Sequence, residues 1–200
     1  MKHSIGYICS GLILAGALIT SLALAEDKAA KPDAKTEEAF KKAQEASTPG
    51  PAHKALQPLV GDWNAEVKMW MEPDKPPTVS RATAKSTWTL KDRFVQQEFN
   101  GEFMGQPFRG LSFLGYDNVR QQYRSVWLDD MSTSMVTGDG EAAGKVITLE
   151  GTYACAMTGE KHKPAKQIYR IISNDKHIFE MHDPTLGDKS KTMEITYTRK

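Results

Sequence analysis

The sequence predicts an all-β protein, an antiparallel up-and-down barrel of about ten strands preceded by a short helix. Three observations predict it. From Trp63 onward the chain alternates apolar and polar residues with period two, the mark of a strand with one buried face. The runs are separated by short breaks rich in Gly, Pro, Asn and Asp, and short connections between sequential strands make antiparallel neighbours. About ten such strands would leave two open edges in a flat sheet, and closure removes them. A two-sheet sandwich is the alternative.

In chain order, the first segment is an address. Lys2 and His3 are a short basic start, Ile5 to Ala25 is apolar, and Ala23-Leu24-Ala25 is a small-x-small cleavage site followed by Glu26 and Asp27. Residues 1–25 therefore read as a signal peptide and place the mature protein in the periplasm or outside the cell. Retention of the same run as a membrane anchor is the alternative. Residues 26–50 read as a flexible charged linker. Within it "TEEAFKKAQEA" has i,i+4 Glu–Lys pairs but only Phe40 as a large apolar residue, so a transient helix has no face to bury. Residues 51–200 are the barrel domain.

The domain opens with a helix over Ala52 to Leu59. The strand runs follow: "WNAEVKMW", "RATAKSTWTL", "RFVQQEFNGEF", "PFRGLSFLGY", "QYRSVWLD", "STSMVTG", "KVITLEGTYACAM", "KQIYRII", "HIFEMHD" and "KTMEITYTR". "GDGEAAG" after the sixth reads as a turn.

Bulk properties exclude some functions. Loss of Lys2 from the 26 basic residues leaves as many bases as the 25 acids, so the mature surface is formally neutral. It offers no electrostatic footprint for nucleic acid and no polybasic face for acidic lipid. After cleavage no membrane partner is expected. One cysteine remains, Cys155, which closes no internal disulfide and reads as a buried thiol on an apolar strand.

Two resemblances follow from particular residues. Gly61-Asp62-Trp63 comes after a short helix, and Arg199 ends the last strand. This resembles lipocalins and their calycin relatives, where a Gly-x-Trp opens the first strand and a basic residue from the last strand packs on the tryptophan. The resemblance implies a plug in which Trp63 fills the closed end and Arg199 stacks on it. His53, Leu56, Leu59 and Gly61-Asp62-Trp63, with "GQPFRG", "GYDN", "WLDDMST" and "MEITYTR", also resemble an uncharacterised bacterial family, domain of unknown function 1579. That similarity runs from His53 to Arg199. It implies one β-rich domain, calycin-like in fold, and carries over no catalytic residue.

The candidate chemistry is limited. His177 and His182 are five apart and point to opposite faces of one strand, and His162 is in a loop, so no local set of metal ligands arises. His53 reads as a cap or packing residue of the helix. Met69 and Met193 fall on apolar faces as core filler. The sequence calls for no cofactor and no metal, and there is no nucleophile elbow, P-loop or His-Glu-x-x-His. Small residues interspersed among many rings suggest a hollow barrel with an apolar ligand site. On "QYRSVWLD", Tyr123, Ser125, Trp127 and Asp129 share one face, and Arg124, Val126 and Leu128, the more apolar set, share the other and are expected to meet a core in part. The expected ligand-binding set is Trp88, Tyr116, Tyr123, Trp127 and Asp129, lining one concavity. The function expected is non-covalent binding of a small apolar molecule. An enzyme on the same barrel, or a structural module of the envelope, is the alternative. Oligomeric state is not legible.

Overall fold

A computed structural model describes residues 33–72 and 74–200; residues 1–25, expected to be a signal peptide, and the start of the expected linker lie outside them. Ten strands follow one another around a closed barrel: β1 (Gly61–Met69), β2 (Thr78–Thr89), β3 (Phe94–Phe103), β4 (Gln106–Asp117), β5 (Gln122–Asp129), β6 (Val136–Ala143), β7 (Val146–Tyr153), β8 (Lys163–Ser173), β9 (Lys176–His182) and β10 (Lys191–Arg199). Each pairs antiparallel with its neighbours in sequence, and β1 closes on β10 with Trp63 opposite Arg199 and Val67 opposite Ile195. The period-two pattern is the cause. Trp63, Ala65 and Val67 are buried while Asp62, Asn64 and Glu66 are exposed. A one-residue slip would exchange these faces, so the apolar set fixes the register.

Two segments precede the barrel. The α1 helix (Ala34–Ser47) is capped by Asp33, whose carboxylate accepts from Thr36 N at 2.8 Å. It buries no residue, in keeping with its single large apolar side chain. Only its C-terminal end is attached: Asn118 Nδ2 donates to Ala46 O and Thr48 O, and Arg93 Nη2 donates to Ser47 O. The α2 turn (Pro51–Lys54) and a 3₁₀ turn (Gln57–Leu59) follow, where the sequence suggested one helix. Pro58 lacks the N–H a longer helix needs. Together they close the end of the barrel at which β1 starts, with Leu56 and Leu59 buried against Val95, Leu114, Tyr123, Ile147 and Leu149.

Two expectations change. The sixth strand runs Val136–Ala143, so most of "GDGEAAG" is strand and the turn is confined to Gly144 and Lys145. The glycines there serve close approach. A Cβ on Gly140 would lie 2.1 Å from Thr148 O, and one on Gly151, in β7, 1.9 Å from Thr137 O. The β6–β7 wall is bent too tightly for side chains at those points. The seventh strand stops at Tyr153, which takes Cys155 off it. Gly159 N donates to Cys155 O at 2.8 Å, closing a turn, and the thiol is half-buried in a loop instead of buried in a strand. Hydrogen bonding by Thr158 holds the thiol below its ordinary pKa.

Candidate functional site

The barrel has two different ends because connections in a meander alternate. Loops after even-numbered strands lie beside α2, and loops after odd-numbered strands surround the opposite mouth.

At the plugged end Trp63 is fully buried, and its Nε1 donates to Leu59 O at 3.1 Å. The Arg199 guanidinium lies 4.3 Å from the indole centroid. Its Nη1 donates to Val60 O at 3.0 Å and its Nε to Asn174 O at 2.8 Å, so it ties the first-strand entry to the β8–β9 turn. Gly61 is required here twice over. Its φ of +144° is a conformation that favours glycine, and a Cβ would sit 2.0 Å from Arg199 Nη1. His177 completes the stack: its ring lies parallel to Tyr197 at 4.3 Å and edge-on to Trp63 at 4.4 Å. Burial pushes the His177 imidazole down to about 3, and the Arg199 charge acts in the same direction. His177 Nδ1 is buried without a hydrogen-bond partner. His53 caps the α2 turn, with Nδ1 accepting from Gly50 N at 3.1 Å, and meets Tyr116 edge-on.

Three of the five residues expected to bind ligand belong to this plug. Tyr123 OH donates to Ala52 O at 3.0 Å, Tyr116 packs on Tyr123 at 4.9 Å, and Trp88 Nε1 donates to Gln57 Oε1 at 2.8 Å. The other two, Trp127 and Asp129, lie toward the mouth. The reason is distance along β5: Tyr123 starts the strand beside the plug, and Asp129 ends it at the opposite rim. The five share an inward face but not one concavity. The other face, Arg124, Val126 and Leu128, is the outer wall and not a second core contact.

Around Trp127 the structure assembles residues that sequence reading did not group. Phe108 stacks on the indole at 6.1 Å with 24° between planes, Phe99 stands edge-on to both, and Phe103 adjoins Phe108. These rings come from β3, β4 and β5 at the same level of the barrel. Trp127 lies flat over Gly110, where a Cβ would come within 2.0 Å of Cη2. Asp129 fixes the indole from the rim: Oδ2 accepts from Trp127 Nε1 at 3.0 Å and Oδ1 from Met131 N at 3.1 Å. A small-residue signal did exist in Gly110, opposite Phe99 and Asp129 in the register, but it is invisible without the pairing.

Deeper in, polar groups form two short chains. Tyr197 OH donates to Gln97 Oε1, whose Nε2 donates to Ser86 Oγ at 3.1 Å. Ser125 Oγ donates to Gln167 Oε1 at 2.9 Å and faces the Tyr169 phenol. Gln167 Nε2 is buried and unpartnered, and rotating the amide would only transfer that condition to Oε1. Burial raises Tyr169 and Tyr197 far above the ordinary phenol range. Tyr169 nevertheless keeps accessible surface, as do the inward-facing Ser112, Trp127, Phe179 and Met181. Inward surface that stays accessible borders interior space. Two concavities, of about 580 and 450 Å³, lie on the outer wall. One is lined by Asn64, Glu66, Arg81, Thr83 and Thr198, the other by Asp139, Glu141, Thr148 and Glu150. Both are open, with outward polar side chains, and neither has the enclosed apolar walls of a small-molecule site.

His182 lies on the outer wall with its strand-mate His177 inside. It borders an ion cluster in which Glu180 accepts from Arg170 Nε and Nη2, both at 3.1 Å, and meets Lys191 at 3.5 Å. Burial alone would raise the Glu180 carboxyl, and the Arg170 hydrogen bonds and charge override it and hold the group down. Among the described residues no three His, Cys, Asp or Glu side chains group as metal ligands.

Residues 48–199 match the family described as "Protein of unknown function (DUF1579)". The chain belongs to that family. No curated protein matches it. Among solved structures it is similar to Rv2717c from M. tuberculosis, at 19% identity and TM-score 0.55 over 76% of this chain and 99% of that one, which shows a shared fold. A redesigned β-barrel (11% identity, TM-score 0.38, 77% of this chain and 99% of that one) is more distant. So is a DUF3598-family protein of unknown function from Nostoc punctiforme PCC 73102 (16%, 0.32, 78% and 53%). The closed barrel is compatible with the calycin architecture.

Proposed function

We propose that this DUF1579 member is an exported protein that holds a small, largely apolar molecule non-covalently in the mouth half of its barrel. One observation carries the reading: the inward rings of Phe108 and Trp127, packed on the buried Phe99, retain accessible surface toward the mouth. A core built only for stability would bury it. The cluster offers apolar area to a ligand body, and the unpartnered Gln167 amide deeper in offers one hydrogen bond to a polar end. The carboxylate of Asp129 is engaged in holding the Trp127 indole, a positioning role.

Native mass spectrometry of protein purified without denaturant tests this. The expected spectrum shows the chain with an adduct that organic solvent removes, or uptake of an added long-chain fatty acid. A chain that is bare in every preparation and takes up no apolar molecule overturns the proposal.

A further inference from the structure

The five loops around the mouth share a feature that the barrel itself does not need. Each carries an exposed large apolar side chain: Met71, Met104, Met131 with Met135, Met157, and Leu186. Met104 and Met157 are 81% and 86% exposed. Of the four loops at the plugged end, only two carry one, Leu90 and Val119. Exposed apolar side chains scattered over a surface need no explanation, but one or more on every loop of one rim, methionine on four and leucine on the fifth, form an annulus.

We infer that this rim docks on a lipid bilayer surface, and that the apolar ligand passes between bilayer and barrel through the mouth. The passage rests on the ligand reading above, whereas the docking does not. Three considerations select the bilayer. The annulus is mostly flexible, unbranched methionine, with Leu186 the exception, spread over separate loops, which suits a fluid planar surface better than a shaped protein groove. It encircles the entrance to the ring-lined interior, so a poorly soluble molecule could enter without crossing water. The rim loops also carry Glu72, Asp74, Asp130, Glu160, Asp183 and Asp188 against Lys75, Lys161 and Lys189, and with Asp130 paired to Arg109 and Asp183 to Lys163 the rim is close to neutral. A near-neutral rim has no polybasic pull toward anionic headgroups, so the lipid is zwitterionic. The sequence expected no membrane partner because the surface lacks a polybasic face; the rim contact is apolar and peripheral. No helix among the described residues is long and apolar enough to cross a membrane.

The test uses the exported protein and phosphatidylcholine–phosphatidylethanolamine vesicles. Wild type should co-sediment, and Met104→Ser/Met131→Ser/Met157→Ser should lower the bound fraction by about tenfold. Brominated lipid should quench an added tryptophan in Met104→Trp and leave one in Val119→Trp unquenched, which separates rim contact from any contribution of the N-terminal segment. Equal quenching at both ends, no binding to these vesicles, or binding to phosphatidylglycerol vesicles alone overturns the proposal. So does a concentration-dependent dimer that the triple variant dissolves, because the rim is then an interface between copies. If the rim docks but apolar probes ignore the interior, docking stands and the ligand reading falls; the reverse result removes only the rim.

Discussion

Exchange of His177 for phenylalanine should make the barrel more tolerant of acid. In the wild type the imidazole is stacked on Tyr197 and edge-on to Trp63, and burial lowers its pKa to about 3. The unfolded chain titrates this group near the ordinary value of 6.5. Between those two values the unfolded state binds the proton and the folded state does not, so stability falls as pH drops below 6.5. From pH 7 to pH 5 the loss is about 2 kcal/mol, from the roughly 1.4 kcal/mol per pH unit that the linkage gives. Phenylalanine keeps a ring in the stack, removes the unpartnered Nδ1, and cannot take a proton. Urea unfolding of both proteins at pH 7 and pH 5 checks this. The carboxylates of Glu180 and Asp183, held below their usual range, also lose stabilisation as pH falls, and the comparison cancels them because both proteins carry them. The stability of the variant relative to wild type should rise by about 2 kcal/mol on going from pH 7 to pH 5. A difference that does not change with pH would refute the buried, neutral histidine.

Trp63→Ala should cost roughly 3–5 kcal/mol, because it empties a fully buried indole site and strips Arg199 of its stacking partner; a loss under about 1 kcal/mol in urea melts would contradict a plug. Tyr123→Phe removes one hydrogen bond to Ala52 O and should cost about 0.5–1.5 kcal/mol while leaving uptake of apolar probes unchanged, and altered uptake would return this residue to the ligand site. Gly110→Ala places a methyl where Cη2 of Trp127 now lies, so the indole must move, at about 1–3 kcal/mol of stability; a Trp127 emission spectrum like that of wild type would show that the ring was never seated there.

The architecture was legible because each strand needs only a period-two pattern and a stop, and both are local. Trp63, Ala65 and Val67 on one face and Asn64 and Glu66 on the other specify β1 without reference to any other strand. Glycine misled the reading where its role was tertiary. Gly138 and Gly140 carry the composition of a turn, yet Gly140 is glycine because a backbone carbonyl of β7 occupies its side-chain space. The site was half legible for a similar reason. The alternation of "QYRSVWLD" correctly places Tyr123, Ser125, Trp127 and Asp129 on one inward face. It cannot say that the first of these abuts the plug and the last the rim, since that follows from the strand's length across the barrel. Phe99, Phe103 and Phe108 join Trp127 only through the β3–β4–β5 register, which no single stretch of sequence contains.

The most direct test of the ligand site contrasts the tryptophans at the two ends. An environment-sensitive apolar dye is titrated into wild type, Trp127→Ala and Trp88→Ala. The mouth half is predicted to bind it, so Trp88→Ala should retain wild-type affinity while Trp127→Ala loses about tenfold, the equivalent of roughly 1.4 kcal/mol. Equal binding by Trp127→Ala and wild type, a loss confined to Trp88→Ala, or no binding by any of the three would contradict a ligand site at the mouth.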